Sequence, residues 1–352
     1  MEKKKIKKED IRRWLDRIGE KYELIVPVQR NVVQFSEVAS SGEALLDFAN
    51  SVVPPKALFF PQTESLFTFQ RGRGELDLKP EGGLLTERAI FGMRQCDIQS
   101  LGVLDAVFSA ETQDSHYLEK RGKTIVVGLA CTEPETTCFC TCFDIDPFSA
   151  DGSDILLADL GQEYLALVST DRGASLVNLA PELSSSVSAE DEERLLELRT
   201  EALKRIREIP TGGIGEKLGS MWDNALWSDL AEVCVGCGIC TYLCPTCHCF
   251  DIQDEDRGKD GVRFRCWDSC IFSEFTLMAS GENPRPTKRE RIRQRLFHKF
   301  KYFPEKYGTF ACVGCGRCLA KCPVNIDVTQ ILSSLATESH GKSQKDRKRM
   351  LE

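Results

Sequence analysis

Of the seventeen cysteines in this sequence, twelve fall between positions 234 and 322. Cys234, Cys237, Cys240 and Cys244, followed by Pro245, form a C-x2-C-x2-C-x3-C-P run. Cys312, Cys315, Cys318 and Cys322, followed by Pro323, repeat it at identical spacing. Three thiolates two residues apart wrap one corner of an iron–sulfur cube, and the small Gly236, Gly238, Gly314 and Gly316 let backbone N–H groups approach the sulfurs. The fourth thiolate leaves on the next turn and ligates the neighbouring cube, and the proline stops the helix there. The spacing therefore predicts two [4Fe–4S] clusters: one on Cys234, Cys237, Cys240 and Cys322, the other on Cys312, Cys315, Cys318 and Cys244. Zinc sites are built instead from paired C-x2-C knuckles. Two cubes that share a scaffold lie close together and make a wire for single electrons.

The remaining thiols leave more open. Cys96, Cys131, Cys138, Cys140 and Cys142 precede the runs. Four of these five suffice for a third cluster, and zinc or free thiols satisfy the spacing equally. Cys247, Cys249, Cys266 and Cys270 lie between the two runs. They suit a further cluster, disulfide or sulfur reduction at low-pKa thiols, or plain packing as small hydrophobes. The histidines, His116, His248, His298 and His340, form no H-x3-H or H-E-x-x-H pattern, so mononuclear zinc catalysis has no support.

Composition excludes other classes. The chain has 352 residues and a net charge of −8, which suits a soluble globular protein and makes a poor nucleic-acid coat. No apolar run approaches the ~20 residues of a membrane helix, and the charged start is no secretory signal. An odd cysteine count in so long a chain argues against a disulfide framework and for a reducing, cytoplasmic setting. The glycine-rich stretch from Gly212 to Gly219 follows a predicted helix and has Leu218 where a third glycine belongs, so no flavin or nicotinamide site is expected on this chain. The basic run 285–301 reads either as a helix packed near anionic clusters or docking an acidic partner, or as a solvated face.

Elements must position these residues. Ile11, Trp14, Leu15 and Ile18 recur at helical spacing, predicting a helix over 10–19. Strand-like runs follow at Leu24-Ile25-Val26, Asn31-Val32-Val33, Ala57-Leu58-Phe59-Phe60, 124–129 and 154–157, with helical patterns around 42–50 and 97–108. The expected fold class is α+β. A mixed α/β domain spans 1–183 and holds the candidate single-cluster site. A helical linker spans 184–215, a mostly helical two-cluster ferredoxin-like domain 216–340 with a short helix at 328–335, and a basic tail 341–352.

On these motifs the chain resembles the β subunit of soluble sulfhydrogenases and, similarly, the corresponding iron–sulfur subunit of anaerobic sulfite reductase. The residues that carry the resemblance are Phe91-Gly92-Met93-Arg94-Gln95-Cys96-Asp97, Cys131 with Cys138-Phe139-Cys140, Cys244-Pro245-Thr246-Cys247-His248-Cys249-Phe250, Trp267-Asp268-Ser269-Cys270, His298-Lys299 and both cysteine runs. The resemblance implies a third [4Fe–4S] cluster on Cys96, Cys131, Cys138 and Cys140. Cys142 lies where relatives usually have no cysteine, and Cys266 is variable among them. It also implies an electron-transfer subunit of a soluble, anaerobic multisubunit oxidoreductase. The implied partners are a catalytic hydrogenase, sulfite reductase or similar subunit, together with a flavin/NAD(P)-binding subunit. The alternative places thiol chemistry on Cys247, Cys249, Cys266 and Cys270 of this chain.

Overall fold

The computed structural model describes residues 2–72, 75–81, 83 and 86–337. Its strands are β1 (Glu2–Lys7), β2 (Glu23–Gln29), β3 (Val33–Glu37), β4 (Thr63–Arg71), β5 (Leu76–Pro80), β6 (Arg88–Met93), β7 (Thr124–Leu129), β8 (Ile155–Asp159), β9 (Glu163–Val168), β10 (Ser184–Ser185), β11 (Phe250–Asp256) and β12 (Asp260–Trp267). The chain divides into two units. The first comprises Met1–Pro55, Leu84–Glu208 and Val313–Gly316, and the second Lys56–Gly83, Ile209–Cys312 and Arg317–Glu352.

The first unit is built on an eight-stranded sheet, among the described residues, in the order β10-β1-β9-β8-β7-β6-β2-β3. Its centre, β2-β6-β7-β8, is parallel, and antiparallel strands flank it on both sides. Alternation along the strands feeds two cores, as a period of two requires. Ile155 and Leu157 of β8, with Tyr164, Ala166 and Val168 of β9, face the predicted helix, observed as Ile11–Gly19. Trp14 of that helix donates its indole N–H to the Leu176 carbonyl at 3.0 Å. Leu156, Ala158, Leu165 and Leu167 face the other way, onto Ala202, Leu195 and Leu198 of the helix Ala189–Arg205. A capping box at Ser188 and Asp191 starts that helix. The stretch expected as a linker thus carries the cover of one sheet face, and the first unit runs on to Glu208.

Two local expectations fail for backbone reasons. Residues 42–50 form no helix beyond a 3-10 turn at Ser41–Glu43, because the Leu45 N–H bonds the Pro27 carbonyl of β2 at 2.7 Å instead of an i−4 carbonyl. Residues 57–60 form no strand. Pro55–Leu58 is a 3-10 turn, and the N–H groups of Phe59 and Phe60 both return to the Lys56 carbonyl.

The second unit combines helices with a four-stranded antiparallel sheet, among the described residues, in the order β11-β12-β4-β5. β4 pairs along β12, which is why residues 56–83 belong here and not to the domain 1–183 that the sequence suggests. Arg265 of β12 and Glu64 of β4 form a buried ion pair at 2.5 Å. Phe60 packs on Phe250 and Trp267. The helices Ile214–Ser220, Leu226–Val233, Lys288–Phe297 and Val328–Thr337 bury Leu218, Trp227, Leu230, Ile292, Leu296 and Ile331. A single π turn, His298–Tyr302, extends the third of them. The basic tail lies outside the described residues.

Candidate iron–sulfur sites

The helix Leu226–Val233 ends as Cys234 turns extended, and Gly236 and Gly238, both at φ +74°, then reverse the chain. Cys240 rides the short helical turn Ile239–Tyr242 that follows. Cys234, Cys237, Cys240 and Cys322 come together on one cavity of the second unit, with Cys318 also on its wall. The rest of that wall is apolar, chiefly Ile239, Ile271, Ile292, Leu296 and Ile331, apart from Arg295. Backbone N–H groups already point at the sulfurs. Gly236 donates to Cys234 Sγ at 3.4 Å and Ile326 to Cys322 Sγ at 3.3 Å. A thiol-only donor set in a largely apolar pocket, with amides aimed at sulfur, fits an iron–sulfur cube.

The basic helix turns out to supply buried cations. Arg295 donates to the Cys240 carbonyl at 3.1 Å, while its Nε is buried without a partner. Burial opposes its charge, yet the thiols of Cys240, Cys318, Cys247 and Cys244 hold its pKa above the ordinary value. The π turn swings Lys299 inward. Its Nζ donates to Cys244 Sγ at 3.2 Å, Thr246 Oγ1 at 3.2 Å and the Ala311 carbonyl at 2.8 Å. Contact with the Cys247 thiol, then Lys299 and Thr246, keeps Cys244 well below the usual thiol range despite burial. Arg291, Arg293 and Lys299 are all buried, so the stretch is no solvated face. Cys312 and Cys318 lie in the second unit, and Cys315 in the first.

In the first unit, adjacent parallel strands present thiols at their carboxyl ends, where open α/β sheets hold ligands. Cys96 follows β6, in the first turn of the helix Gln95–Phe108, and Cys131 comes two residues after β7. Cys138 and Cys140 arrive on the loop that leads into the turn Cys140–Phe143. These four line one pocket, with Asn50, Arg94 and Gln95. Asn50 Nδ2 donates to Cys96 Sγ at 3.6 Å. Burial pushes the Cys138 and Cys140 thiols up to about 12 and raises Cys131 against the pull of Arg94. The pocket also contains Arg94 Nε and Gln95 Oε1, buried without partners. Clustered thiols that are costly to ionise alone are suited to metals, which deprotonate their ligands on binding. Cys142 turns away and donates to the Arg207 carbonyl at 3.4 Å.

Cys315 also lines this pocket, a placement that spacing alone does not reveal. The Phe139 N–H donates to the Gly314 carbonyl at 2.8 Å and holds the Val313–Gly316 loop there. Gly314 and Gly316, both at positive φ, were the only hint: a side chain on either would meet backbone at 2.5–2.6 Å.

The thiols between the runs do not form one set. Cys266 sits on β12 opposite Asp251, and burial with Asp251 and Asp268 raises its thiol. Cys247 contacts Cys244. Cys249 and Cys270 contact each other. The rings of His248 and His298 lie 5.5 Å apart, and burial lowers both to about 4. His116 falls in the helix Ser115–Gly122, and His340 lies outside the described residues.

These sites define an iron–sulfur protein whose cysteine runs follow two-cluster ferredoxin spacing. Residues 233–326 match the family model described as a 4Fe-4S dicluster domain. The chain is 32% identical over 325 residues to sulfhydrogenase 2 subunit beta of Pyrococcus furiosus, covering 92% of this chain and 95% of that one. The chain belongs to the sulfhydrogenase β-subunit family, as an iron–sulfur, electron-transfer subunit.

Proposed function

We propose that this chain relays single electrons through three [4Fe–4S] clusters within a cytoplasmic hydrogenase-like complex. A flavin/NAD(P)-binding partner lies at one end of the relay and a catalytic hydrogenase, sulfur- or sulfite-reducing partner at the other. The observation that carries this reading is the convergence of Cys234, Cys237, Cys240 and Cys322 on one largely apolar cavity. Cys312, Cys315, Cys318 and Cys244 hold the second cluster, and Cys96, Cys131, Cys138 and Cys140 the third. The clusters, when bound, supply one-electron redox chemistry. The protein residues hold the thiolates and place Arg295 and Lys299 where negative charge accumulates.

Iron and acid-labile sulfide per chain test the proposal, on protein purified without oxygen and followed by EPR after reduction. About twelve of each are expected, and Cys131→Ser should remove about four while the signals of the other two clusters persist. About eight in the wild-type protein would overturn the third site, and zinc in place of iron would overturn the relay.

A further inference from the structure

We propose that Cys249 and Cys270 form a reversible dithiol–disulfide site, a two-electron store beside the one-electron clusters. The inference rests on the relay reading for the path of its electrons. It narrows the thiol chemistry considered for this stretch from four cysteines to two.

The backbone sets the pair. The Asp268 N–H donates to the Cys249 carbonyl at 3.0 Å, carrying the β11–β12 ladder one step beyond the Phe250–Trp267 pair. Cys249 is thereby pinned opposite Asp268, two residues before Cys270. Ser269 is fully buried and locks the turn between them: its Oγ lies 2.8 Å from Thr241 Oγ1 and accepts the Ile271 N–H at 3.1 Å. Both thiols are free, and each is the strongest electrostatic neighbour of the other. A disulfide brings the two sulfurs to about 2.05 Å.

The electrostatics divide the roles. The Cys270 S–H, first, and then its N–H and the nearby Lys299 and Lys56 bring Cys249 down to about 7, while the same contact and burial raise Cys270. Lys56 is buried, donates to the Cys247 carbonyl at 2.8 Å and lies 4.0 Å from the Trp267 ring centroid. One sulfur is thus the ready thiolate and the other holds the proton. Oxidation joins the Cys249 thiolate sulfur to the Cys270 sulfur. The Cys270 proton is released, and two electrons leave singly, one to each of two oxidised [4Fe–4S] clusters. Reduction reverses every term. A wire that carries electrons singly gains a place where pairs are held for chemistry that needs two.

The test poises the cluster-loaded chain at stepped potentials without oxygen, unfolds it directly into iodoacetamide, and maps the peptides by mass spectrometry. A disulfide linking Cys249 to Cys270 is expected at the oxidising end, vanishing on reduction with a two-electron Nernst slope. C249S and C270S should each abolish it with iron content unchanged. Alkylation of both thiols at every potential would overturn the proposal, as would loss of about four irons in C270S, which makes Cys270 a cluster ligand. A wild-type chain that forms the disulfide under a chemical oxidant yet lacks iron would support the pair and overturn the relay.

Discussion

Lys299 is the residue where position and charge say most. It is buried, and its ammonium bonds a sulfur that the relay assigns as a ligand. A cation there favours the more negative, reduced cluster, and a charge-assisted bond contributes roughly 1.5–3 kcal/mol. Replacing it with methionine should lower the potential of one cluster by roughly 60–130 mV, at 59 mV per tenfold for one electron. Redox titration by EPR reads this; an unchanged potential with full iron would refute it. His248 and His298 give a second residue-level expectation. Their folded pKa values, about 4, lie below the ordinary 6.5, so the unfolded chain takes up protons first as pH falls. Stability is lost between pH 6.5 and 4, with about 2 kcal/mol per histidine gone at pH 5. Thermal unfolding from pH 7.5 to 5 should show a steep fall, and His298→Gln should flatten it. The two-cluster cysteine runs were legible because their spacing is local. The inward placement of Lys299 and the half-buried Arg295 was not, because a basic helix reads the same whether its charges face water or thiols, and only the fold brings Cys244 to them.

Elements were legible where periodicity had room to speak. The helix Ile11–Gly19 and strands β7 and β8 stand where their apolar patterns put them. Phe59 and Phe60 misled because the apolar run is short and the prolines before it favour a turn. The pairing of β4 with β12 joins residues about two hundred positions apart, beyond any local signal. The Glu64–Arg265 pair staples those strands, with both side chains over nine-tenths buried. Glu64→Gln leaves the guanidinium without its counter-charge and should destabilise by about 3–5 kcal/mol, read as the loss in thermal or denaturant unfolding. A change below about 1 kcal/mol would show that the sheet does not depend on the pair. Gly314→Ala tests the other element junction. At φ +60° its new methyl would lie 2.5 Å from the backbone of Phe139 and Cys140. A loss of about 2 kcal/mol or more is expected, with iron falling first in the pocket of Cys96 and Cys131; unaltered iron and stability would show that the loop does not hold this pocket.

At the scale of the molecule, the chain visits each unit three times. The four residues Val313–Gly316 finish the first unit, yet 104 residues (209–312) separate them from Glu208. At synthesis rates of about 5–20 residues per second, that interval lasts on the order of 5–20 s. Through it the nascent chain has already made Cys96, Cys131, Cys138 and Cys140, while the loop that packs on Phe139 is still unmade. Assembly is therefore ordered in time by the gene itself. The thiols of Cys96, Cys131, Cys138 and Cys140 therefore wait with their pocket open until residue 316 has emerged.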